Sequence, residues 1–446
     1  MISQIAAWRS RLLHAHPDHL RIARNAARVS LFVLLGRCAG ALKEVAVAYR
    51  YGVSNTVDAY QFTLTLLVWL PSALASVLAI VLVPVLVELR THGKRDQARF
   101  LGELEVATAI VGTMLTLALY LLWPVALHAM AGNLSLQTRE MTRQLMLGMA
   151  PVGVLTLVVC VYAARLQVRD RHISSLLESM PAAATLVFVL CASDGSSIYP
   201  LLWGTTIGFI VQAISLRLLA GQADHIRVRP RLSFQSPQWA ATIQALRVFT
   251  LGQIVLCTAA PLDQYFLAHV GDGAIATLGY ANRVLSLLLS MGALAIGRAT
   301  LPILSDIISR GDPIRARHTA LKWVLLMLAM GGACAAVSWL LAPTVVGLLF
   351  QRGAFTGHDT AAVASIFRWG LLQVPFYFGV LVMMQLYASE GRYRSMAMIA
   401  LLSFMLKAIG NILLIPWLGI AGVLISTALM HAGSFVLYLG FSRSRS

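Results

Sequence analysis

The residues best suited to chemistry are charges inside the first apolar segment of the chain. Residues 36–60 carry Arg37, Lys43, Glu44, Arg50 and Asp58. On a helix, Arg37, Lys43 and Glu44 fall within an arc of about 120°. Each charge costs a few kcal/mol or more at the centre of a bilayer. We therefore expect this face to line a polar cavity around which the other helices are arranged.

Later apolar segments add further polar residues at comparable depth. They are Asp263, Asn282, Arg283, Arg298 and Lys407, with Glu178 and Arg368 nearer the segment ends. Arg37 lies roughly 12 Å from one end of its helix, and Arg283 lies about as far from the opposite end of its own. Converging cations suit an anion, because arginine forms bidentate hydrogen bonds to phosphate and lysine supplies a mobile point charge. Arg37, Lys43, Arg283 and Lys407 are thus predicted to bind an anionic substrate.

Ion pairing is the alternative interpretation of the same charges. Arg37 or Lys43 could pair with Glu44 or Asp58, and Arg283 could pair with Asp263. Cations outnumber acids at this depth, so pairing leaves a surplus of positive charge. Glu44, Asp263, Asn282 and Arg298 are accordingly assigned to ion pairing or to coupling. The Arg298 side chain could also extend to the membrane interface.

Composition predicts an all-α polytopic membrane protein, since 58% of the 446 residues are apolar and 12% are charged. A soluble domain is nearer one quarter charged. Twelve apolar segments are long enough to span a bilayer. They lie at about 29–49, 58–87, 104–128, 144–164, 174–193, 198–219, 246–269, 274–304, 320–342, 366–388, 395–415 and 419–440.

The distribution of basic residues predicts the orientation. Alternate loops and both chain ends hold 23 of the 35 Lys and Arg residues. Basic loops stay on the cytoplasmic side, so both termini are expected there, in the bacterial inner membrane. The net charge of +17 is explained by these loops, and nucleic acid is not an expected partner.

A repeat divides the chain into two halves. Pro84 and Pro302 are separated by 218 residues, as are Gly93 and Gly311, and Arg99 and Arg317. Parallel repeats place a substrate path between the halves. The predicted organisation is a basic N-terminal segment (1–28), a six-helix N-lobe (29–219), a cytoplasmic linker (220–241), a six-helix C-lobe (242–441) and a tail (442–446).

Enzyme signatures are missing from the sequence. It contains no P-loop, GxSxG or HExxH motif, and its five cysteines lie in or beside apolar segments. They are interpreted as packing residues and not as a disulfide framework or metal site. We expect a transporter without a cofactor or metal; the sequence does not indicate which coupling ion or membrane potential drives it.

Three stretches resemble the MurJ/MviN family of the multidrug/oligosaccharidyl-lipid/polysaccharide exporter superfamily. GRCAGALKEVAVAYRYGVSNTVDAY is similar to the family's first-helix motif, which places Arg37, Lys43 and Asp58 on functional positions. LGYANRVLSLLLSMGALAIGRATLPILS resembles the YADRL…G…LP segment and places Arg283 on the family's cavity arginine. LLFQRGAFTGHDT is close to LLFERGAFT and is the most specific match.

The resemblance implies a flippase for undecaprenyl-pyrophosphate-linked saccharides, built as two lobes around a cationic cavity that opens to each side in turn. The chain departs from the family in three places. The charged segment of the second helix is replaced by WLPSALASVLAIVLVP, the acid of YADRL is Asn282, and two further C-terminal helices have no counterpart. An exopolysaccharide or O-antigen repeat unit fits these departures at least as well as lipid II.

Two other functions are compatible with the sequence. One is a cation-coupled exporter of small amphiphiles, a class that usually needs acids in the cavity, whereas the surplus here is basic. The other is a non-transporting scaffold of a polysaccharide synthesis complex. Expected partners are the lipid-linked saccharide, the bilayer and glycan synthesis enzymes, and the protein is expected to be a monomer.

Overall fold

The computed structural model describes residues 17–443, except residues 92, 131, 170–172, 193 and 194. The side chains of residues 17–30, 248, 291, 294, 295, 297–299, 301, 302, 442 and 443 lie outside this description. Most of the predicted N-terminal segment 1–28 and the tail 442–446 therefore lies outside it too.

The described chain is α-helical throughout, as the composition predicts. In order, the helices are α1 (Pro17–Tyr51), α2 (Asn55–Leu89), α3 (Lys94–Met130), α4 (Leu136–Met149), α5 (Pro151–Val168), α6 (Ser174–Leu177), α7 (Met180–Cys191), α8 (Tyr199–Asp224), α9 (Gln238–Cys257), α10 (Ala259–Val270), α11 (Ala274–Ser309), α12 (Pro313–Phe350), α13 (Gly357–Leu371), α14 (Val374–Ser389), α15 (Tyr393–Leu418) and α16 (Ile420–Arg443).

Every predicted apolar segment lies on a helix or on two consecutive helices. In the described part of the chain, eight helices are long and apolar enough to cross a membrane, and two bent pairs raise the count to ten. The remaining segments lie in α1, where Arg37, Lys43 and Glu44 interrupt the apolar run, and in α11, whose apolar stretch is the shorter Ala274–Ser290. The exact count of twelve spans stays a prediction.

The helices pack as two groups, which we call the N-lobe (α1–α8) and the C-lobe (α9–α16). In the N-lobe, α2 packs on α4 and α5, α5 packs on α8, and α1 packs on α7. In the C-lobe, α14 packs on α11 and α12, and α15 packs on α16. Helix α9 crosses this division because it packs mainly against α2, whereas its continuation α10 reaches α15 and α16.

Residues of the sequence repeat occupy matching places in the two lobes. Pro124 lies inside α3, and Pro343, which follows it by 219 residues, lies inside α12. Arg99 and Arg317 lie near the starts of the same helices, and each pairs with an acid, Glu103 at 3.3 Å and Glu390 at 3.1 Å. These places support the parallel repeat, while a two-fold relation between the lobes stays a prediction.

The connection between the lobes spans residues 225–237, because α8 extends to Asp224 and α9 begins at Gln238. It is attached to the N-lobe at both ends. Arg165 pairs with Asp224 at 2.8 Å, and the fully buried Glu103 accepts hydrogen bonds from the Ser236 amide and from Trp239 Nε1. The connection is therefore anchored to the N-lobe.

Candidate functional site

A cavity of about 410 Å³ lies between the lobes. The N-lobe helices α1 and α7 and the C-lobe helices α11 and α12 supply its walls, with Arg37, Gly40, Ala41, Lys43, Glu44, Val45, Ala182, Arg283, Val284, Ser286, Leu287, Ser290, Leu349 and Phe350. Arg37, Lys43 and Glu44 do share one face of α1, and Arg283 meets them from the other lobe. The cavity is the size of a typical small-ligand site.

Glu44 joins the two lobes electrostatically. Its Oε1 atom lies 2.8 Å from Lys43 Nζ and 3.0 Å from Arg283 Nε. Lys43 and Glu44 are buried, and the ammonium also lies 5.7 Å from the centroid of the Tyr60 ring. The predicted pairing of Lys43 with Glu44 is present, whereas Arg283 pairs with Glu44 and not with Asp263.

Arg37 is the unneutralised cation of the cavity. Its side chain is exposed, and no described residue forms an ion pair or hydrogen bond with it. The Arg283 side chain is 56% exposed even while it contacts Glu44. Three cations thus face one carboxylate, and two guanidinium groups remain accessible to an anion, which arginine binds in bidentate fashion.

Two serines on α11 extend the polar wall, and sequence reasoning missed them. Ser286 and Ser290 follow Arg283 by three and seven residues, so they lie on the same helical face. Their hydroxyls donate to the carbonyls of Arg283 and Leu287, both at 2.9 Å, and keep oxygen lone pairs for a ligand. Spacing relative to Arg283 is the signal that could have identified them.

Lys407 does not line this cavity, although we predicted it as a substrate-binding residue. It lies inside the C-lobe, 4% exposed, with its Nζ atom 2.9 Å from Asp263 Oδ2 and 2.7 Å from Thr427 Oγ1. The nearby acid therefore neutralises it within its own lobe. A mid-helix position predicts the depth of Lys407 in the membrane. The direction in which its side chain points depends on how α15 packs against its neighbours.

Asp58 also lies outside the cavity, although the resemblance placed it among the substrate-binding residues. It is fully buried, and its carboxylate accepts hydrogen bonds from the backbone N–H groups of Gly273 and Ala276 at the start of α11. Acids stabilise helix N-termini because the first N–H groups lack partners within the helix. Asp58 of the N-lobe thus caps a helix of the C-lobe.

The other predicted residues whose side chains are described take no part in the cavity. Asn282 and Glu178 are exposed and do not belong to its lining. Arg368 donates to the Trp339 carbonyl at 3.1 Å. Arg298 lies in α11, but its side chain lies outside the described residues.

The lobes meet closely at one end of the cavity, which we call the closed end (residues 49–58, 132–138, 268–280 and 351–356). The Ala354 amide donates to the Tyr49 carbonyl at 2.8 Å, and the Tyr280 hydroxyl donates to the Gly52 carbonyl at 3.0 Å. Gly52 has φ +58°, and a Cβ atom there would lie 2.6 Å from the Ala354 oxygen. Only glycine combines this backbone conformation with so close an approach.

A second set of hydrogen bonds strengthens the closed end. Asn133 donates from its amide to the Ala268 carbonyl at 2.9 Å and from its side chain to the His269 carbonyl at 2.7 Å. Asp272 of the C-lobe accepts from Ser135 at 3.2 Å and from Thr138 at 3.1 Å, near the start of α4. Each lobe therefore supplies an acid to a helix N-terminus of the other.

The fold of this chain matches that of known transporters. Residues 47–446 match the family described as lipid II flippase MurJ. The chain belongs to the MurJ family. It is therefore a multi-pass membrane transporter and not an enzyme.

Curated relatives in the MurJ family span most of the chain. The probable lipid II flippase MurJ of Bdellovibrio bacteriovorus is 25% identical over 381 residues, which cover 83% of this chain and 72% of that protein. The corresponding protein of Synechocystis sp. is 24% identical over 440 residues, covering 94% and 81%. These identities leave room for different side chains at the cavity and in the lobes.

Solved structures show the same fold. The lipid II flippase MurJ in an inward closed conformation has a TM-score of 0.80 at 18% identity, covering 94% of this chain and 87% of that one. An inward-facing multidrug resistance MATE family transporter has a TM-score of 0.72 at 14% identity, covering 92% and 94%. The structural likeness to a MurJ protein and to a MATE transporter agrees with the predicted fold class.

Proposed function

We propose that the chain flips a polyprenyl-diphosphate-linked saccharide from the inner to the outer leaflet of the bacterial inner membrane. Lipid II is the substrate named for its relatives, and an exopolysaccharide or O-antigen unit carries the same diphosphate. The observation that supports the proposal most is the set of three cations facing one carboxylate in the cavity between the lobes. A diphosphate supplies the missing negative charge.

In this proposal, the diphosphate binds first to the accessible guanidinium groups of Arg37 and Arg283. Glu44 and the diphosphate then compete for Arg283 and Lys43, because one carboxylate oxygen contacts both cations. Ser286 and Ser290 offer hydroxyls along the same wall to polar groups of the bound headgroup. Desolvation inside the cavity strengthens each charged hydrogen bond relative to water.

Alternating access follows from the position of the closed end relative to the cavity. We assign the closed end to the outer side and both termini to the cytoplasm, since the basic loops favour that orientation. Opening to the outside then requires separation of Asp58 from α11 and of Asp272 from α4. A bound substrate drives this change only to the extent that it binds the outward-open state more tightly.

The test is a flipping assay in proteoliposomes with three lipids: lipid II, a polyprenyl diphosphate carrying a different saccharide, and a polyprenyl monophosphate saccharide. We expect transport of one or both diphosphates and weak transport of the monophosphate. Arg37→Ala should weaken substrate binding about ten- to a hundredfold, since a hydrogen bond to an ion contributes roughly 1.5–3 kcal/mol. Arg37→Lys should restore only part of this loss, because lysine cannot bind bidentately.

Arg310→Ala is the matched control, because Arg310 is an exposed cation of the C-lobe that lies outside the cavity lining. Its flipping rate should equal that of the unmodified chain. Wild-type flipping by folded Arg37→Ala protein would contradict the role of the cavity cations. Failure of the unmodified chain to move any of the three lipids would favour the scaffold function.

A further inference from the structure

The C-lobe contains a buried polar cluster that the proposed function does not use. The Lys407 ammonium of α15 lies between Asp263 of α10 and Thr427 of α16. Asn411, one turn after Lys407, is fully buried and donates from Nδ2 to the second Asp263 oxygen at 2.9 Å. Three helices thus converge on a single ammonium group.

The oxygen atoms around this ammonium do not all have hydrogen-bond partners. Asn411 Oδ1 is buried and has no hydrogen-bond partner among the described residues. The Thr427 hydroxyl donates to the Val423 carbonyl at 2.9 Å, so its lone pairs are directed to the Lys407 proton donors. Carboxylate, amide carbonyl and hydroxyl oxygens are the ligands that hard metal cations prefer.

Charge balance restricts which ion this set can hold. Asp263 supplies one negative charge, and among the described residues it is the acid that contacts Lys407. A single positive charge therefore makes the cluster neutral, whereas a divalent ion would leave an uncompensated charge in the membrane-spanning region. The oxygen set suits a monovalent cation, and the ammonium occupies that place.

We propose that Lys407 is a tethered cation that permanently fills a monovalent metal-ion site, so that this C-lobe needs no exchangeable sodium ion. If the lysine side chain were removed, sodium would bind to the oxygens of Asp263, Thr427 and Asn411. The ammonium thus makes the lobe insensitive to the sodium concentration.

The ammonium that takes the place of a metal ion on Asp263 also affects the contact between the lobes. Five and six residues further along α10, the carbonyls of Ala268 and His269 accept the hydrogen bonds of Asn133 at the closed end. A cation on Asp263 therefore fixes the helix that carries part of the contact between the lobes. With Lys407 in place, this contact does not depend on an ion from solution.

The experiment measures the melting temperature of the purified chain in sodium chloride and in choline chloride at equal ionic strength. This readout is independent of any transported substrate, so it can fail while the proposed flipping function holds. For the unmodified chain we expect the same melting temperature in both salts, within about 1 °C. Lys407→Ala should melt lower in choline and be stabilised by sodium in a saturable way, as expected for an ion that binds the folded state.

Two further variants complete the test. Lys407→Ser should also respond to sodium, since it opens the same space and adds a hydroxyl oxygen. Asp263→Asn combined with Lys407→Ala should not respond, because the charged ligand is gone. Saturable stabilisation of the unmodified chain by sodium would overturn the proposal. So would a missing sodium response in both single variants, or failure of both to fold when purified in sodium.

Discussion

Two buried lysine–carboxylate pairs lie in the helical bundle, and their geometry is almost the same. Lys43 Nζ lies 2.8 Å from Glu44, and Lys407 Nζ lies 2.9 Å from Asp263. The lysines are 8% and 4% exposed. The surroundings differ, because Glu44 is shared with Arg283 beside an open cavity, whereas Asp263, Asn411 and Thr427 enclose Lys407 within one lobe.

This difference shows that pair geometry alone does not reveal function. The Glu44 cluster has more cations than acids and faces a cavity, so an anion can enter it and complete its charge. The Asp263 cluster is neutral and lies within one lobe, so with Lys407 in place it holds helices together. Removing one partner of a buried pair leaves an uncompensated charge, and the cost depends on which other partners remain.

The largest effect should come from Lys407→Met, which keeps an unbranched side chain one atom shorter and removes its charge. In sodium-free buffer we expect the free energy of unfolding to fall by about 3–5 kcal/mol, since Asp263, whose side chain is only 19% exposed, is left without a cation. Lys43→Met should cost less than half as much, because Glu44 keeps Arg283. The measurement is denaturant unfolding of both variants in the same micelles.

A double variant provides the control for this prediction. Lys407→Met with Asp263→Asn removes both charges and should recover most of the lost stability, because replacing a whole buried pair is often nearly neutral. An equal loss in Lys407→Met and Lys43→Met would show that the two clusters do not differ as described.

The next effect concerns ligand binding at the Glu44 cluster. Arg283→Ala should weaken binding of a polyprenyl diphosphate about ten- to a hundredfold, which corresponds to roughly 1.5–3 kcal/mol for a hydrogen bond to an ion. Lys407→Met should leave this affinity within about twofold where it folds, because Lys407 does not line the cavity. Calorimetric titration in detergent distinguishes the two variants. Equal losses in both would place Lys407 in the binding site.

A smaller effect is expected at the closed end. Asp58→Asn replaces one of the acceptor oxygens by an NH₂ group that opposes the N–H groups of α11, at a cost of about 0.5–2 kcal/mol for a helix cap. Because Asp58 caps a helix of the other lobe, the substitution should destabilise the closed state relative to the state that is open at this end. The fraction of protein molecules that are open at this end should rise roughly two- to thirtyfold.

Accessibility labelling measures this shift. With the five native cysteines replaced by serine, Ser286→Cys reports on entry of a membrane-impermeant thiol reagent from the closed end. Asp312→Asn is the matched control, since Asp312 caps α12 by accepting a hydrogen bond from the Arg315 amide at 2.9 Å, within the C-lobe and outside the closed end. It should lower stability without changing the labelling. Faster labelling in the control, or none in Asp58→Asn, would contradict a gating role for Asp58.

The smallest effect is expected from the exposed pair Arg310–Asp306. Its atoms lie 2.8 Å apart, but the side chains are 75% and 56% exposed. Solvent screens such i,i+4 pairs, so Arg310→Ala should change the free energy of unfolding by about 0.5 kcal/mol or less. A loss of 2 kcal/mol, on the order of a broken buried pair, would show that distance outweighs burial in this protein.

Sequence reasoning found the α1 part of the candidate site because its signal is local. Arg37, Lys43 and Glu44 follow one another at helical spacing within an apolar run, so their shared face is evident from the sequence. Arg283 was predicted from its depth in an apolar segment and from the resemblance of that segment to the MurJ/MviN family. Ser286 and Ser290 were missed, since serines are common in helices and their spacing from Arg283 becomes informative only when Arg283 is taken as the reference for the cavity face.

The amino-acid sequence is enough to predict the α-helical membrane fold, the approximate helix positions and the residues that carry charge into the bilayer. These follow from composition and periodicity, because hydrocarbon requires every backbone polar group to be satisfied within a helix. Tertiary structure decided which charges meet. Arg283 could have paired with Asp263, but α11 directs it to Glu44 and α15 brings Lys407 to Asp263. Depth along a helix can be read from the chain, whereas rotation about the helix axis is set by the neighbouring helices.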